Sequence, residues 1–357
     1  MKVLTLDAGG TNLVFNAVEN GKVLEYSYNL KTKSDNLDNL INKIIDGFTI
    51  LIKETGLDPD AISFCFPGPA DYKNGIIGDL ENLPFFRGGI PLKQILENYF
   101  NVPVFINNDG DMFALGEAHF GFLKKVNDFL EENNNPKRYE SLLGVTFGTG
   151  FGGGIIYKMK LFEGANSAQG EINRMRSYSY DNESIEEEIS KRGLVRIFSI
   201  LSGISDENLT PKKIANYALN NDKFTDCAIE SYKLFGKAAG EAIANAVTLL
   251  DCPVVIGGGL SKSHSLFLPS LVDAMNSSYE TNGKLVSRME IRAINFESDY
   301  HQREMIESIP VKIPIPKSND FVYYTKDRFI PVGVAKLDTS IAVALGCYIF
   351  AMDMLKQ

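Results

Sequence analysis

Residues 2–6 (Lys2-Val3-Leu4-Thr5-Leu6) read as a strand that runs into Asp7-Ala8-Gly9-Gly10-Thr11-Asn12, a stretch too rich in glycine to continue it. Leu13–Val18 resumes a β pattern, and Asn20-Gly21 predicts a type I′ hairpin leading into Lys22–Tyr28. Ser34–Gly56 then predicts a helix, because Leu37, Leu40, Ile41, Ile44, Ile45, Phe48, Leu51 and Ile52 recur at helical spacing. Ser34 or Asp35 would cap it, and Gly56 suits the position just past its end. A short apolar strand at Ala61–Phe66 stops at Pro67-Gly68-Pro69; another follows at Val102–Ile106, with a helix over Asp111–Gly121 leaving it.

The pattern then restarts. Leu142–Phe147 predicts a strand, Gly148–Gly154 a glycine turn and Ile155–Tyr157 a second strand, echoing residues 2–18. A long helix over Asp226–Leu250 leads to a buried strand, Pro253–Ile256, and a third glycine turn, Gly257-Gly258-Gly259. Two copies of one α/β unit facing each other would gather these turns around a shared cleft, where ligands usually bind. Glu131–Asn135 is a low-complexity stretch expected in an exposed loop. Residues 281–335 show weak periodicity and several prolines and read as an irregular excursion before a last helix, Thr339–Leu355.

Composition narrows the classes. The 357 residues carry a net charge of −9, with 44% hydrophobic and 23% charged residues, the balance of a globular chain long enough for two domains. An acidic chain whose cations occur as isolated pairs (Lys124-Lys125, Lys137-Arg138) is not expected to bind nucleic acid. Cys65, Cys227, Cys252 and Cys347 lie far apart without a CxxC spacing, which supports neither a zinc knuckle nor a disulfide framework; Cys65 and Cys252 fit as small buried hydrophobes. Asp7 interrupts the first apolar run too early for a signal peptide, and no run approaches the roughly 20 apolar residues of a membrane span, so a cytoplasmic location is expected.

Four groups of residues could carry chemistry. Asp7-x-Gly9-Gly10-Thr11 is either a hairpin turn with a charged tip or a phosphate-approach turn whose strand-end carboxylate orients Mg²⁺ through water. Gly148-Thr149-Gly150-Phe151-Gly152-Gly153-Gly154 formally contains GxGxxG, but the residues after it are strand-like rather than helical, so a dinucleotide fold is not supported; a second phosphate loop or a glycine-permitted bulge remains. There is no GxxxxGK[ST]. Asp109, after Asn107-Asn108 and before a helix, is either an N-cap or a general base. Glu171, in Gly170-Glu171-Ile172-Asn173-Arg174, either accepts hydrogen bonds from a polyol or sits on a solvated helix start. None of His119, His264 and His301 reads as catalytic: the first fits a structural place on a helix, the others exposed loops.

In order and spacing these groups resemble the ROK (repressor, open reading frame, kinase) family of sugar kinases, over roughly residues 2–265 and again 338–352. Asp7–Asn12 is similar to its first phosphate motif, Pro67-Gly68-Pro69-Ala70-Asp71 to its PGP-x-D turn and Glu81-Asn82-Leu83-Pro84 to its N-L-P segment. Asn108-Asp109 with Ala114–Gly121 resembles its N-D…GE…G block, Gly148–Gly154 its second phosphate motif, Glu171 its GE-x-GH glutamate and Val254–Ser261 its adenosine motif.

The resemblance implies an α/β, two-lobed actin/hexokinase-like (ribonuclease H-like) ATPase fold, with duplicated domains around a central cleft. The small lobe would span residues 1–112 plus 339–357 and the large lobe 113–338. It implies an ATP- and Mg²⁺-dependent kinase acting on a hexose or N-acetylhexosamine hydroxyl, at C6 in most members. Asp109 would be the base, and Asn82, Asn108, Glu171, Arg174 and Glu186 would bind the sugar. Asp7, Gly9, Gly10, Thr11, Asn12, Gly148, Thr149, Gly150, Gly257, Gly258 and Gly259 would hold the nucleotide, with Asp7 toward Mg²⁺. Homodimers are common in the family. Two departures stand out. The family's GH pair is Asn173-Arg174 here, and residues 175–186 hold none of the cysteines of its zinc site, so no structural zinc is expected. A non-catalytic sugar-binding or sugar-sensing member is the alternative reading; the DNA-binding type is disfavoured by the acidic charge and by a first motif that starts at Asp7.

Overall fold

Strand β1 (Lys2–Ala8) lies between the hairpin partner that follows it and a parallel strand. The hairpin is β2 (Asn12–Glu19) and β3 (Lys22–Lys31), turned by Asn20 and Gly21, both with positive φ as the type I′ turn requires. Helix α1 (Leu37–Thr55) buries Leu40, Ile44, Phe48 and Leu51. Its cap is Asn36, whose side chain accepts from Asn39 N, and not Ser34 or Asp35. All three residues can cap, and the helix takes the one adjacent to its first apolar turn. Gly56 closes it in the left-handed conformation.

Next come β4 (Ala61–Cys65), the short hairpin β5 (Ala70–Asp71) and β6 (Ile76–Ile77), α2 (Leu92–Phe100), β7 (Val104–Asn107) and α3 (Asp109–His119). β4 pairs parallel with both β1 and β7, giving the order β3-β2-β1-β4-β7. Helix α3 begins two residues earlier than its periodicity suggests, because Asn108 caps it by accepting from Gly110 N at 2.7 Å.

The computed structural model describes residues 1–9, 11–81, 83–308 and 310–356. They form two compact units: Met1–Gly121, Gly153–Gly170 and the stretch from Lys336 onward make the first, Phe122–Gly152 and Glu171–Ala335 the second. Residues 113–121 and 153–170, which the sequence places in the large lobe, thus pack within the first unit.

After α4 (Phe122–Glu132), β8 (Leu142–Phe147) leads through a turn at Gly148–Gly150 into β9 (Phe151–Tyr157), so the second half of the glycine run is strand rather than turn. The short β10 (Lys160–Leu161) folds back on β9. Single 3₁₀ turns at Ile172–Arg174 and Ile185–Glu187 precede α5 (Lys191–Ser202), α6 (Pro211–Leu219) and the 26-residue α7 (Thr225–Leu250). β11 (Val254–Gly257) pairs parallel with β8, and α8 (His264–Met275) packs on α7.

The stretch 281–335 is not irregular. It holds a hairpin of β12 (Ser278–Thr281) and β13 (Lys284–Ser287), then β14 (Arg292–Asn295), α9 (Asp299–Glu307), a second hairpin of β15 (Val311–Pro314) and β16 (Phe321–Tyr324), and β17 (Phe329–Val334). β17 and β14 extend the parallel run as β8-β11-β17-β14. Strands of four to six residues separated by exposed hairpins leave too short a period to read from sequence. His264 and His301 correspondingly lie half-buried on α8 and α9 rather than in exposed loops.

Helix α10 (Thr339–Met354) returns to the first unit and crosses α3 at close range. Gly116 and Gly346 make the crossing possible, since a Cβ on either would overlap a carbonyl of the facing helix, that of Ala342 or Met112. The buried Glu117 carboxylate on α3 accepts the backbone N–H groups of Lys336 and Leu337 at 3.0–3.2 Å, fixing the segment that enters α10.

Candidate active site

In the first unit, register brings three residues into line at the C-terminal ends of parallel strands: Asp7 on β1 faces Cys65 on β4, which faces Asn107 on β7. Ligands of open α/β sheets collect at such strand ends. Cys65, read from sequence only as a small buried hydrophobe, points its thiol at Asp7 Oδ1 at 3.4 Å, and burial pushes its pKa well up. The contact depends on register between strands 58 residues apart, which no local pattern displays.

Two residues beyond Asn107, Asp109 occupies the first turn of α3. Since Asn108 is the cap, Asp109 is not needed for that task; its Oδ1 takes a share of Gly110 N–H at 2.8 Å. The side chain is open to solvent on one side while surrounding protein displaces water on the others, and this desolvation raises its pKa. Asp7, half-buried, is raised for the same reason; the Cys65 hydrogen bond opposes the shift and the charge of Asp109 adds to it. The two carboxylates are therefore close enough to feel each other, and neither has a cationic partner among the described residues. The turn after β1 is braced by Thr32, whose hydroxyl donates to Gly9 O at 2.7 Å and whose N–H donates to Thr11 O. Gly9, Thr11 and Asn12 face solvent there, and Asn12 Oδ1 accepts from Lys31 Nζ. Gly10 and Asn82 lie outside the described residues.

The second unit carries its glycine turns at the ends of the adjacent parallel strands β8 and β11. Gly258 is needed for the fold: its φ is +80°, and a Cβ would collide with the Phe147 carbonyl. Gly150 makes room for the Glu186 carboxylate, which accepts Phe151 N–H at 3.0 Å. Gly148 and Gly259 have no such reason. A Cβ at Gly148 would meet nothing within 4 Å, one at Gly259 would meet only Lys191 Cε at 4.0 Å, and neither has a positive φ. Space kept clear beside both turns fits a nucleotide approaching the backbone.

Glu186 is engaged by the protein itself. Besides Phe151 N–H, it pairs with Arg192 Nη2 at 2.9 Å; Arg192 also grips Glu187 through Nε and Nη2 and reaches Thr149 O at 3.4 Å. Its hydrogen bond with Arg192 holds Glu187 below the usual carboxylate range. Arg192 escaped sequence reading because its partners include Thr149, in a turn 43 residues away, besides the nearby Glu186 and Glu187. Glu171 and Arg174 are exposed at the 3₁₀ turn, and Arg174 has no side-chain partner among the described residues. Beside it, Asn173 Oδ1 is buried without a hydrogen-bond partner. His119 bonds Met159 O at 2.9 Å, a structural role.

A cation fits the chemistry of the Asp7 side, where two mutually repelling carboxylates lack a counter-charge among the described residues. Among the described residues, no group of three or more His, Cys, Asp or Glu side chains is placed to hold a metal ion by itself. No described helix is long and apolar enough to cross a membrane.

A strand-end acid beside one glycine turn, with two more glycine turns on a second α/β sheet, marks the chain as an α/β protein of the actin/hexokinase-like type. Residues 3–297 match the ROK family, and the chain belongs to it. The crystal structure of a glucokinase from Parabacteroides distasonis is similar over 99% of this chain and 97% of that one, with a TM-score of 0.89 and 39% identity. An N-acetyl-D-glucosamine kinase of Photobacterium profundum is 27% identical over 280 residues, 73% of this chain and 85% of the relative. A xylose repressor of Caldicellulosiruptor bescii is 27% identical over 278 residues, 72% of this chain and 65% of the relative.

Proposed function

We propose that the protein is an ATP-dependent sugar kinase that phosphorylates a hydroxyl, at C6, of a hexose or N-acetylhexosamine. The observation that carries this reading is the pair Asp7 and Asp109, two carboxylates without cationic partners among the described residues, one at the end of β1 and the other just past the end of β7, in a chain whose relatives are named as sugar kinases. In this reading Asp109 accepts the proton of the sugar hydroxyl as it attacks. Desolvation raises the proton affinity of its carboxylate toward what a base working near neutral pH needs. Asn82, Asn108, Glu171 and Arg174 orient the sugar. Glu186 contributes by shaping the loop it braces, and as a sugar ligand it would have to share its oxygens with Phe151 and Arg192.

ATP would lie on the backbone of Gly148–Gly150 and Gly257–Gly259, with the turn Gly9–Asn12 toward its phosphates. Mg²⁺, when bound, supplies charge neutralisation, with Asp7 holding it through water. Phosphoryl transfer needs positioning and electrostatics more than covalent help from the protein, and these residues supply both.

The test is sugar-dependent ADP release over a panel of hexoses and N-acetylhexosamines. Turnover with one or a few of them is expected. A second reading, a sugar sensor without activity, is favoured by the exposed Arg174 in place of the family histidine and by the repressor among the relatives. Saturable sugar binding with no ADP release from any sugar would establish that reading and overturn the kinase.

A further inference from the structure

The hairpin of β15 and β16 stands apart from the described remainder of the second unit's sheet as a two-stranded ribbon. From Val311 to Arg328 every residue except Thr325 is exposed. Alternation puts Lys312, Pro314, Phe321 and Tyr323 on one face and Val311, Ile313, Val322 and Tyr324 on the other, so both faces are apolar and both meet water. Phe321, Tyr323 and Tyr324 are 42%, 68% and 48% exposed. At about 200 Å² per ring, they alone offer on the order of 300 Å² of aromatic surface. A two-stranded ribbon is marginal in water by itself, and further strands added at an edge would steady this arm.

Its two edges differ. Ile315 N–H bonds Asp320 O, and the alternation of an antiparallel ladder then makes Ile313–Val322 and Val311–Tyr324 the other bonded pairs. The outward-facing backbone of β15 therefore belongs to Lys312 and Pro314, and proline has no N–H to give. The outward-facing backbone of β16 belongs to Phe321 and Tyr323, with neither proline nor charge to block pairing. One edge is closed and the other is open.

We infer that β16 pairs antiparallel with β16 of a second copy of this chain about a two-fold axis, joining two arms into a four-stranded sheet. Backbone direction restricts the register, because only outward-facing residues can bond across the axis. Placing Tyr323 opposite itself satisfies this and sets Phe321 opposite Thr325. The same register sets Val322 opposite Tyr324 and Asp320 opposite Lys326, twice each by symmetry. That charge match identifies the occupant as a copy of the same strand: the acid and the base that flank the open edge are spaced to neutralise their own symmetry mates. Lys312 lies over the Phe321 ring at 3.3 Å, on the face that these two share with Pro314 and Tyr323. The inference is independent of the catalytic reading.

Sedimentation velocity at about 20 µM tests it. The wild type is expected to be a dimer. Tyr323→Pro removes only an outward N–H and is expected to give monomers. Asp320→Lys and Lys326→Asp each put like charges opposite one another twice and are expected to weaken the dimer about tenfold or more. The double exchange Asp320→Lys/Lys326→Asp is expected to restore it, a rescue that a misfolded arm would not give. A monomeric wild type, a dimer that survives both Lys326→Asp and Tyr323→Pro, or a double exchange that stays monomeric would each overturn the inference.

Discussion

In the first unit Asp7 and Asp109 stand without cationic partners among the described residues, and desolvation raises the pKa of each. In the second unit Glu186 and Glu187 share the guanidinium of Arg192, and Glu187 is held below its ordinary range. Both pairs lie beside a glycine turn, yet one is balanced by the protein and the other is left unbalanced. Folding alone favours balanced charge, because an uncompensated and partly desolvated carboxylate costs stability. We propose that the acids left unbalanced are the ones with work outside the fold, while the paired acids hold a loop in shape. Perturbed carboxylates of this kind gather at functional sites.

This contrast can be broken at several points. Asp109→Asn keeps the acceptor for Gly110 N–H and removes the base; sugar-dependent ADP release is expected to fall by about 10²–10⁴. An unchanged rate would transfer the proposed role elsewhere. Next in size is the pair of glycines that differ in physical reason. Gly258→Ala forces a side chain into positive φ against the Phe147 carbonyl and is expected to cost roughly 2 kcal/mol or more in denaturant unfolding. Gly148→Ala meets nothing within 4 Å among the described residues and is expected to leave stability within about 0.5 kcal/mol while raising KM for ATP. If both lose the same stability, the space at Gly148 is not kept for a ligand. Arg192→Ala frees Glu186 and Thr149; for a half-exposed ion-pair network about 1 kcal/mol of stability is expected to go, with a several-fold rise in KM for ATP. The smallest effect belongs to Arg174→Ala, where unfolding is expected to stay within about 0.5 kcal/mol of wild type and KM for sugar to change more than kcat. A loss of stability there would show that Arg174 serves the fold.

What the sequence displayed was whatever a local pattern can carry. Asn20-Gly21 specified its hairpin because both residues tolerate positive φ, and eight apolar residues specified α1 because its buried face repeats at helical spacing. The glycine turns were legible at strand ends, but their reasons were not: Gly258 is required by backbone geometry, Gly150 by a carboxylate 36 residues away and Gly148 by nothing among the described residues. The Cys65–Asp7 contact and the Arg192 clamp were hidden because strand register and loop convergence bring together residues that are distant in sequence. Residues 281–335 looked irregular since β14 and β17 are short and the hairpins between and before them expose apolar side chains on both faces, erasing the alternation that marks a half-buried strand.

The cost of leaving two acids unbalanced is read most directly from thermal unfolding of wild type, Asp7→Asn and Asp109→Asn between pH 4 and 8. A carboxylate with a raised folded-state pKa binds more protons folded than unfolded, so its penalty is full above the folded pKa and disappears as pH falls below the unfolded value near 3.8. Both variants are therefore expected to melt at or above wild type at pH 7, with the difference closing toward pH 4. Variants that melt below wild type at pH 7 would contradict the account, since the two carboxylates would then be stabilising the fold.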